Sequence, residues 1–252
     1  MKITPLLLCA CSALLPLIQP TAAQEYTRTA RNTTELPDWL IEFSNLPRED
    51  REQYLRAFTQ AKRAYQNGQW VACIGFLADC EMIFSKNPNV WNLRASCLME
   101  QKFFDEAAEE LERVRKVLPS DPVTAMNLSG MHLARGRYEE SLAVLRSLQE
   151  SLPYGSPREL LDVLDFRCLL CHVLLDHMDE ARALVAHLSP MSDTPLYYYS
   201  QAVFALKKGD RIEASRCLRV VSNIFTQGNT LVPYQRALDL SGIARQDTAA
   251  NR

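Results

Sequence analysis

Glycine is scarce in this chain, 8 of 252 residues, and extended β-branched runs are few. Both shortages lean the chain towards helix, because strands draw on β-branched residues and tight hairpins on glycine. A dominant charge is missing too: 28 basic residues stand against 30 acidic ones, for a net charge of −2. That balance excludes general nucleic-acid binding, which needs a basic surface to displace counterions. It also leaves no acidic tail and no polybasic membrane patch. Catalytic signatures are absent as well. His132, His172, His177 and His187 form no H-E-x-x-H, the serines form no G-x-S-x-G, and no glycine-rich phosphate loop exists. The chain is therefore expected to be no enzyme and to need no cofactor and no metal. Apolar residues make up 47%, ample for one elongated domain or two compact ones.

The start of the chain reads as an export signal over residues 1–23. Met1 and Lys2 supply a positive start, residues 3–18 are almost wholly apolar, and Thr21, Ala22 and Ala23 offer small side chains at a cleavage site. The apolar run is interrupted by Pro5 and Pro16 and is short for a membrane span. Two alternatives remain: an uncleaved anchor, or lipidation at Cys11, since Leu8-Cys9-Ala10-Cys11 loosely resembles a bacterial lipobox. A membrane contact is expected only if the N-terminus is retained or lipidated. Otherwise the chain is expected in the periplasm or cell envelope.

The firmest internal signal is a repeat of 34 residues. Ala61, Ala95 and Ser129 follow one another at that spacing, as do Trp70, Phe104 and Tyr138. Cys73, Ala107 and Ser141 form a third column, and Leu77, Leu111 and Leu145 a fourth. Each column suits one position of a helix hairpin. Small residues sit where two helices cross closely. Gly68 and Gly136, with Lys102 between them, mark a turn at which the left-handed conformation is favoured. The aromatic two residues later plugs the corner, and the leucines continue an apolar stripe on the second helix. Asn87-Pro88 and Asp121-Pro122 punctuate the boundaries, proline being suited to a helix start.

These columns resemble the tetratricopeptide repeat family. A fourth unit carries Leu169, Asp176, Met178, Ala181 and Val185 in the same places, and a fifth carries Ala202, Gly209, Arg211, Ala214 and Leu218. Leu169 departs from the family's small residue, and Arg211 from its aromatic plug. The resemblance implies an all-α, right-handed solenoid of about five helix hairpins over residues 51–225. A polar entry segment over 24–50 precedes it. A capping helix and tail over 226–252 follow, with Leu231, Leu238 and Ile243 on one side. Such a cap is needed because an end repeat otherwise leaves its apolar face wet.

In this family the first helix of each pair lines a concave groove. The phase of the repeat puts Phe58, Lys62, Tyr65, Asn92, Ser96 and Met99 there in the early units. It puts Met126, Leu133, Phe166, Leu170, Val173, Tyr199, Val203 and Leu206 there in the later ones, so the face turns from mixed polar to apolar. The expected partner is another protein or a peptide, held in that apolar stretch as an apolar peptide or amphipathic helix. The opposing expectation is that the entry segment, the terminal helix or tight winding covers it. The leading functional reading is a non-catalytic interaction scaffold or adaptor in the bacterial cell envelope. One alternative is a thiol- or metal-handling accessory protein using Cys168 and Cys171, a C-x-x-C. The other is a membrane-tethered structural component of the envelope.

The C-x-x-C lies inside an apolar helix, not at a helix N-terminus where thiols are acidified, and reads more simply as two small buried residues. The chain beyond residue 23 has six cysteines, an even number that permits disulfides in an exported protein. Cys73 and Cys80 are two helical turns apart, about 10 Å by the helical rise, and cannot bond to each other. A bridge from Cys73 to Cys97 on the next hairpin stays open.

Overall fold

The computed structural model describes residues 37–226 and 230–248. The expected export signal and the first half of the entry segment, residues 24–36, lie outside these residues. Among the described residues the chain is all-helical: α1 (Asp38–Ser44), α2 (Arg48–Gln66), α3 (Trp70–Ile83), α4 (Pro88–Glu100), α5 (Phe104–Val117), α6 (Pro122–Ala134), α7 (Tyr138–Ser151), α8 (Arg158–Leu174), α9 (Met178–Val185), α10 (Pro195–Lys207), α11 (Arg211–Ile224) and α12 (Val232–Ser241), ending in a 3-10 turn, Ile243–Thr248. From α2 to α11 the helices run as successive hairpins, the helical repeat that the columns predict. Two compact units divide the chain, with the boundary at Asn127 and Leu128 inside α6.

The corners are built alike in all five hairpins. Gly68, Lys102, Gly136, Asp176 and Gly209 all have φ between 61° and 77°. At each corner the following N–H reaches five residues back: Gln69 to Ala64, Phe103 to Leu98, Arg137 to His132, His177 to His172 and Asp210 to Ala205, every one at 2.9 Å. This is the Schellman arrangement, which satisfies a carbonyl that the helix end leaves bare. Lys102 and Asp176 hold the left-handed conformation without being glycine, at a steric cost of about 1 kcal/mol each. Helix starts follow the proline punctuation. Asn87 accepts the N–H of Asn89 at 3.0 Å ahead of Pro88, and Thr194 accepts that of Leu196 at 3.2 Å ahead of Pro195.

The repeat columns form the core. Ala61, Ala95, Ser129, Leu169 and Ala202 are wholly buried, as are Cys73, Ala107, Ser141 and Ala181, with Ala214 nearly so. Leu77, Leu111 and Leu145 are equally covered, and truncating any one of them to alanine costs about 2–5 kcal/mol. In the N-terminal unit, Phe43 of α1 closes the open end of the first hairpin. Its ring lies 4.8 Å from that of Tyr54 and 5.5 Å from that of Phe84. In the C-terminal unit α8 is the hub, packed against α7, α9, α10 and α12.

Candidate functional site

The positions expected to line a groove are the starting point. In the N-terminal unit they carry a polar network. Asn127 donates to Asn92 Oδ1 at 2.7 Å and to Ser96 Oγ at 3.3 Å, and Asn92 donates to Thr124 Oγ1 at 3.2 Å. Asp121 anchors it. Its Oδ2 accepts the Thr124 N–H at 2.7 Å and the Thr124 hydroxyl at 2.6 Å, which caps α6. Burial pushes the Asp121 carboxyl above its ordinary range, and the two Thr124 hydrogen bonds pull against that. Asn92, Ser96, Thr124 and Asn127 are all buried, so the amides and hydroxyls are spent on one another.

Beside this network, Arg94 of α4 forms a two-pronged pair with Glu81 of α3, at 3.1 and 2.6 Å, and reaches Glu110 of α5 at 3.1 Å. Arg113 closes the set, 3.0 Å from Glu110 and with its guanidinium 4.3 Å from the Trp91 ring centroid. The cluster ties three helices together and is structural.

In the C-terminal unit the expected apolar stretch is present, and it is filled. Phe166, Leu170, Val173, Tyr199 and Val203 are buried to within 1% of full coverage, and Leu206 is half-buried. The occupant is α12. Its Tyr234 ring lies 5.2 Å from Phe166 and 5.0 Å from Tyr199, stacked on the latter, while Phe166 and Tyr199 meet edge-on at 5.5 Å. Pro233, Ala237, Leu238 and Ser241 are buried with it. An apolar face of this length is rarely left wet, and the chain's own terminal helix covers it. Met126 and Leu133, on α6, are buried as well. Of the side chains named as a partner groove, those of α8 and α10 are therefore brought together in the C-terminal unit, but as a packed interface.

A second set of residues, not foreseen in the sequence, holds α12 in place. Asp162 of α8 accepts from Arg158 Nε at 2.7 Å and from the Thr194 hydroxyl at 2.5 Å. Burial raises the pKa of the Tyr234 phenol, with Asp162 adding to the rise and Thr194 opposing it, which sets the ring beside this pair. Helix α8, the start of α10 and α12 thus meet at one buried knot. Leu231, Leu238 and Ile243 signalled a cap, but nothing in sequence pairs Tyr234 with residues 40 and 72 positions upstream.

The histidines and cysteines separate clearly. His172 and His177, five residues apart, would fall on different faces of one continuous helix, yet their rings lie 5.9 Å apart. Helix α8 ends at Leu174, and the left-handed Asp176 folds His177 back over the corner. Burial holds His172 below the ordinary imidazole value. Cys168 and Cys171 are buried in α8, and their thiols are pushed up by desolvation to about 12 and about 11, which makes both poor nucleophiles. Among the described residues no three His, Cys, Asp or Glu side chains converge as a metal site, and no helix is long and apolar enough to cross a membrane.

These features define an all-α helical repeat fold whose hairpins are similar to tetratricopeptide repeats. A solved structure of similar fold is that of PilW, described as a widely conserved type IV pilus biogenesis factor. The TM-score is 0.54 at 16% sequence identity, over 81% of this chain and 93% of that one. No family model and no curated protein compared with the chain matches it.

Proposed function

We propose that this protein is a non-catalytic interaction scaffold of the bacterial cell envelope, serving the assembly of type IV pili. The observation that carries the reading is the run of tetratricopeptide-like hairpins, in a fold similar to that of PilW along most of both chains. Such repeats present helix faces to other proteins and carry no chemistry of their own. The apolar first 23 residues, with small side chains at a cleavage site, support delivery to the envelope. The decisive experiment deletes the gene in its native host and counts surface pili by electron microscopy. Loss of pili, restored by the gene in trans, is expected. Unchanged piliation overturns the pilus assignment. Mass spectrometry of the mature N-terminus separates a start near Gln24 from a retained or lipidated leader, the last two being the marks of a tethered structural component.

Partner binding is proposed for the apolar face of the C-terminal unit formed by Phe166, Leu170, Val173, Tyr199, Val203 and Leu206. Helix α12 occupies it as a partner's amphipathic helix would. Loosening the lid with Tyr234→Ala in the full chain, followed by affinity capture from the host, tests this. Increased capture of a defined partner is expected, and unchanged capture moves the partner site elsewhere. The thiol- or metal-handling alternative is disfavoured by the raised, buried thiols of Cys168 and Cys171.

A further inference from the structure

Helix α12 is seated on the C-terminal unit by one side. Tyr234, Ala237, Leu238 and Ser241 are buried, whereas Gln235 and Asp239 are exposed. The buried set falls at i, i+3, i+4 and i+7, the spacing with which an amphipathic helix enters a groove. Each position has its own part in the fit. The Tyr234 ring fills the space beside Phe166 and Tyr199, at centroid distances of 5.2 and 5.0 Å. Ala237 is wholly covered, and in a close-packed setting a larger side chain there has no room. Leu238 covers the same turn and is itself buried.

These contacts hold α12 in place with little local help. The helix has ten residues, below the roughly 12–15 at which an isolated helix becomes stable in water. Leu231 at its N-cap makes no side-chain hydrogen bond, and its first turn carries no acidic residue. Neither a cap nor a charge therefore steadies that end. The neighbour it lies on differs: α10 is capped by Thr194 and carries Lys207 in its last turn. Nor does α12 use the whole face, for Leu206 stays half-buried. A longer helix of the same pattern gains the surface that α12 leaves unused, and holds its own shape better.

We propose that the partner held on this face is an amphipathic helix of another protein, with an aromatic residue, a small residue three positions on and a leucine four positions on, and that α12 is its built-in competitor. This assignment, which rests on the partner face proposed above, fixes what that face accepts. The two helices cannot occupy the face together. The partner's apparent affinity is its intrinsic affinity reduced by the fraction of chains whose face is open. Selection follows from the same competition: a helix that lacks the aromatic, or has bulk at the small position, does not displace α12.

The probe is a synthetic peptide of residues 230–248, fluorescently labelled and titrated with the full chain, with binding read by anisotropy. On the Tyr234→Ala chain, whose own lid lacks the ring, the Kd is expected to lie about tenfold or more below that on the wild type. A peptide carrying the same Tyr234→Ala change is expected to bind that chain about tenfold or more weakly than the native peptide. Leu238→Ala removes less bulk and supplies a second loosened lid if Tyr234→Ala loses its helical circular dichroism. A shift of about threefold or more in the same direction is expected there. Equal affinity of the peptide for the wild type and the loosened chains overturns the competition. Equal affinity of the two peptides overturns the pattern. Dimers of the loosened chain in sedimentation without peptide give the face to a second copy and overturn the partner helix. Increased capture from the host with no peptide binding leaves the partner face standing and overturns this helix pattern alone.

Discussion

In the N-terminal unit the first-helix positions Asn92, Ser96 and Asn127 are joined by amide and hydroxyl hydrogen bonds. In the C-terminal unit the equivalent stretch holds Phe166 and Tyr199, with Tyr234 of α12 laid across them. The difference shows two ways to finish the exposed side of a hairpin. A polar face satisfies itself through short bonds within and between neighbouring helices. An aromatic face makes no such bonds and needs an added helix to keep water off. The first is directional and fails when one partner is lost. The second is set by contact area and fails when bulk is lost.

Tyr234→Ala is the sharpest way to break that contrast. It removes a buried ring that touches two others, and about 3–5 kcal/mol of stability is expected to go. Hydrogen exchange checks where: faster exchange in α8, α10 and α12, with α4 unchanged, is the expected pattern. If α4 loosens equally, the two units do not behave as separate faces.

Asn92→Ala tests the polar side. It removes the 2.7 Å acceptor of Asn127, leaving that amide only the 3.3 Å bond to Ser96, and cuts the bond to Thr124 in a buried setting, and a loss of about 1–3 kcal/mol is expected in denaturant unfolding. A change below about 0.5 kcal/mol, the range of ordinary surface substitutions, would mean the network is ornamental. Lys102→Gly works in the opposite direction. It relieves a left-handed residue at the second corner, and a gain of about 0.5–1 kcal/mol is expected. Asp176→Gly should gain less, because it also gives up the 2.6 Å pair between Asp176 and Lys207.

The smallest effect is on pH. All four histidines lie in the C-terminal unit, and burial lowers His132 and His172. For a base whose folded pKa is depressed, stability is full above the unfolded value, about 6.5 for imidazole. It drains away as pH falls from there towards the folded value. Acid titration between about pH 7 and pH 5 should therefore soften the C-terminal unit, and His172→Gln should flatten that slope.

Much of the fold was legible because it is local and repeated. Four columns at one spacing predicted the hairpins, the corners and the buried small residues, and even Lys102 and Asp176 were placed at turns by column when their side chains argued otherwise. The site was legible only in part. The chain's phase put Phe166 and Tyr199 on one face, yet that face meets Tyr234, dozens of residues further on, ring against ring. Such pairing across a long separation leaves no periodic trace. The polar network was half visible: Asn92 and Ser96 stood out as polar, whereas Asp121 read only as helix punctuation.

The five corners share one backbone path whatever residue occupies them. Each is thus a standard joint, with the same way in and the same way out. A genetic crossover between any two such joints would add or delete a whole hairpin without disturbing the geometry on either side. Array length in a protein of this construction is consequently easy to change. Its end pieces, Phe43 at one end and Tyr234 at the other, are the parts that any recombined version would have to keep.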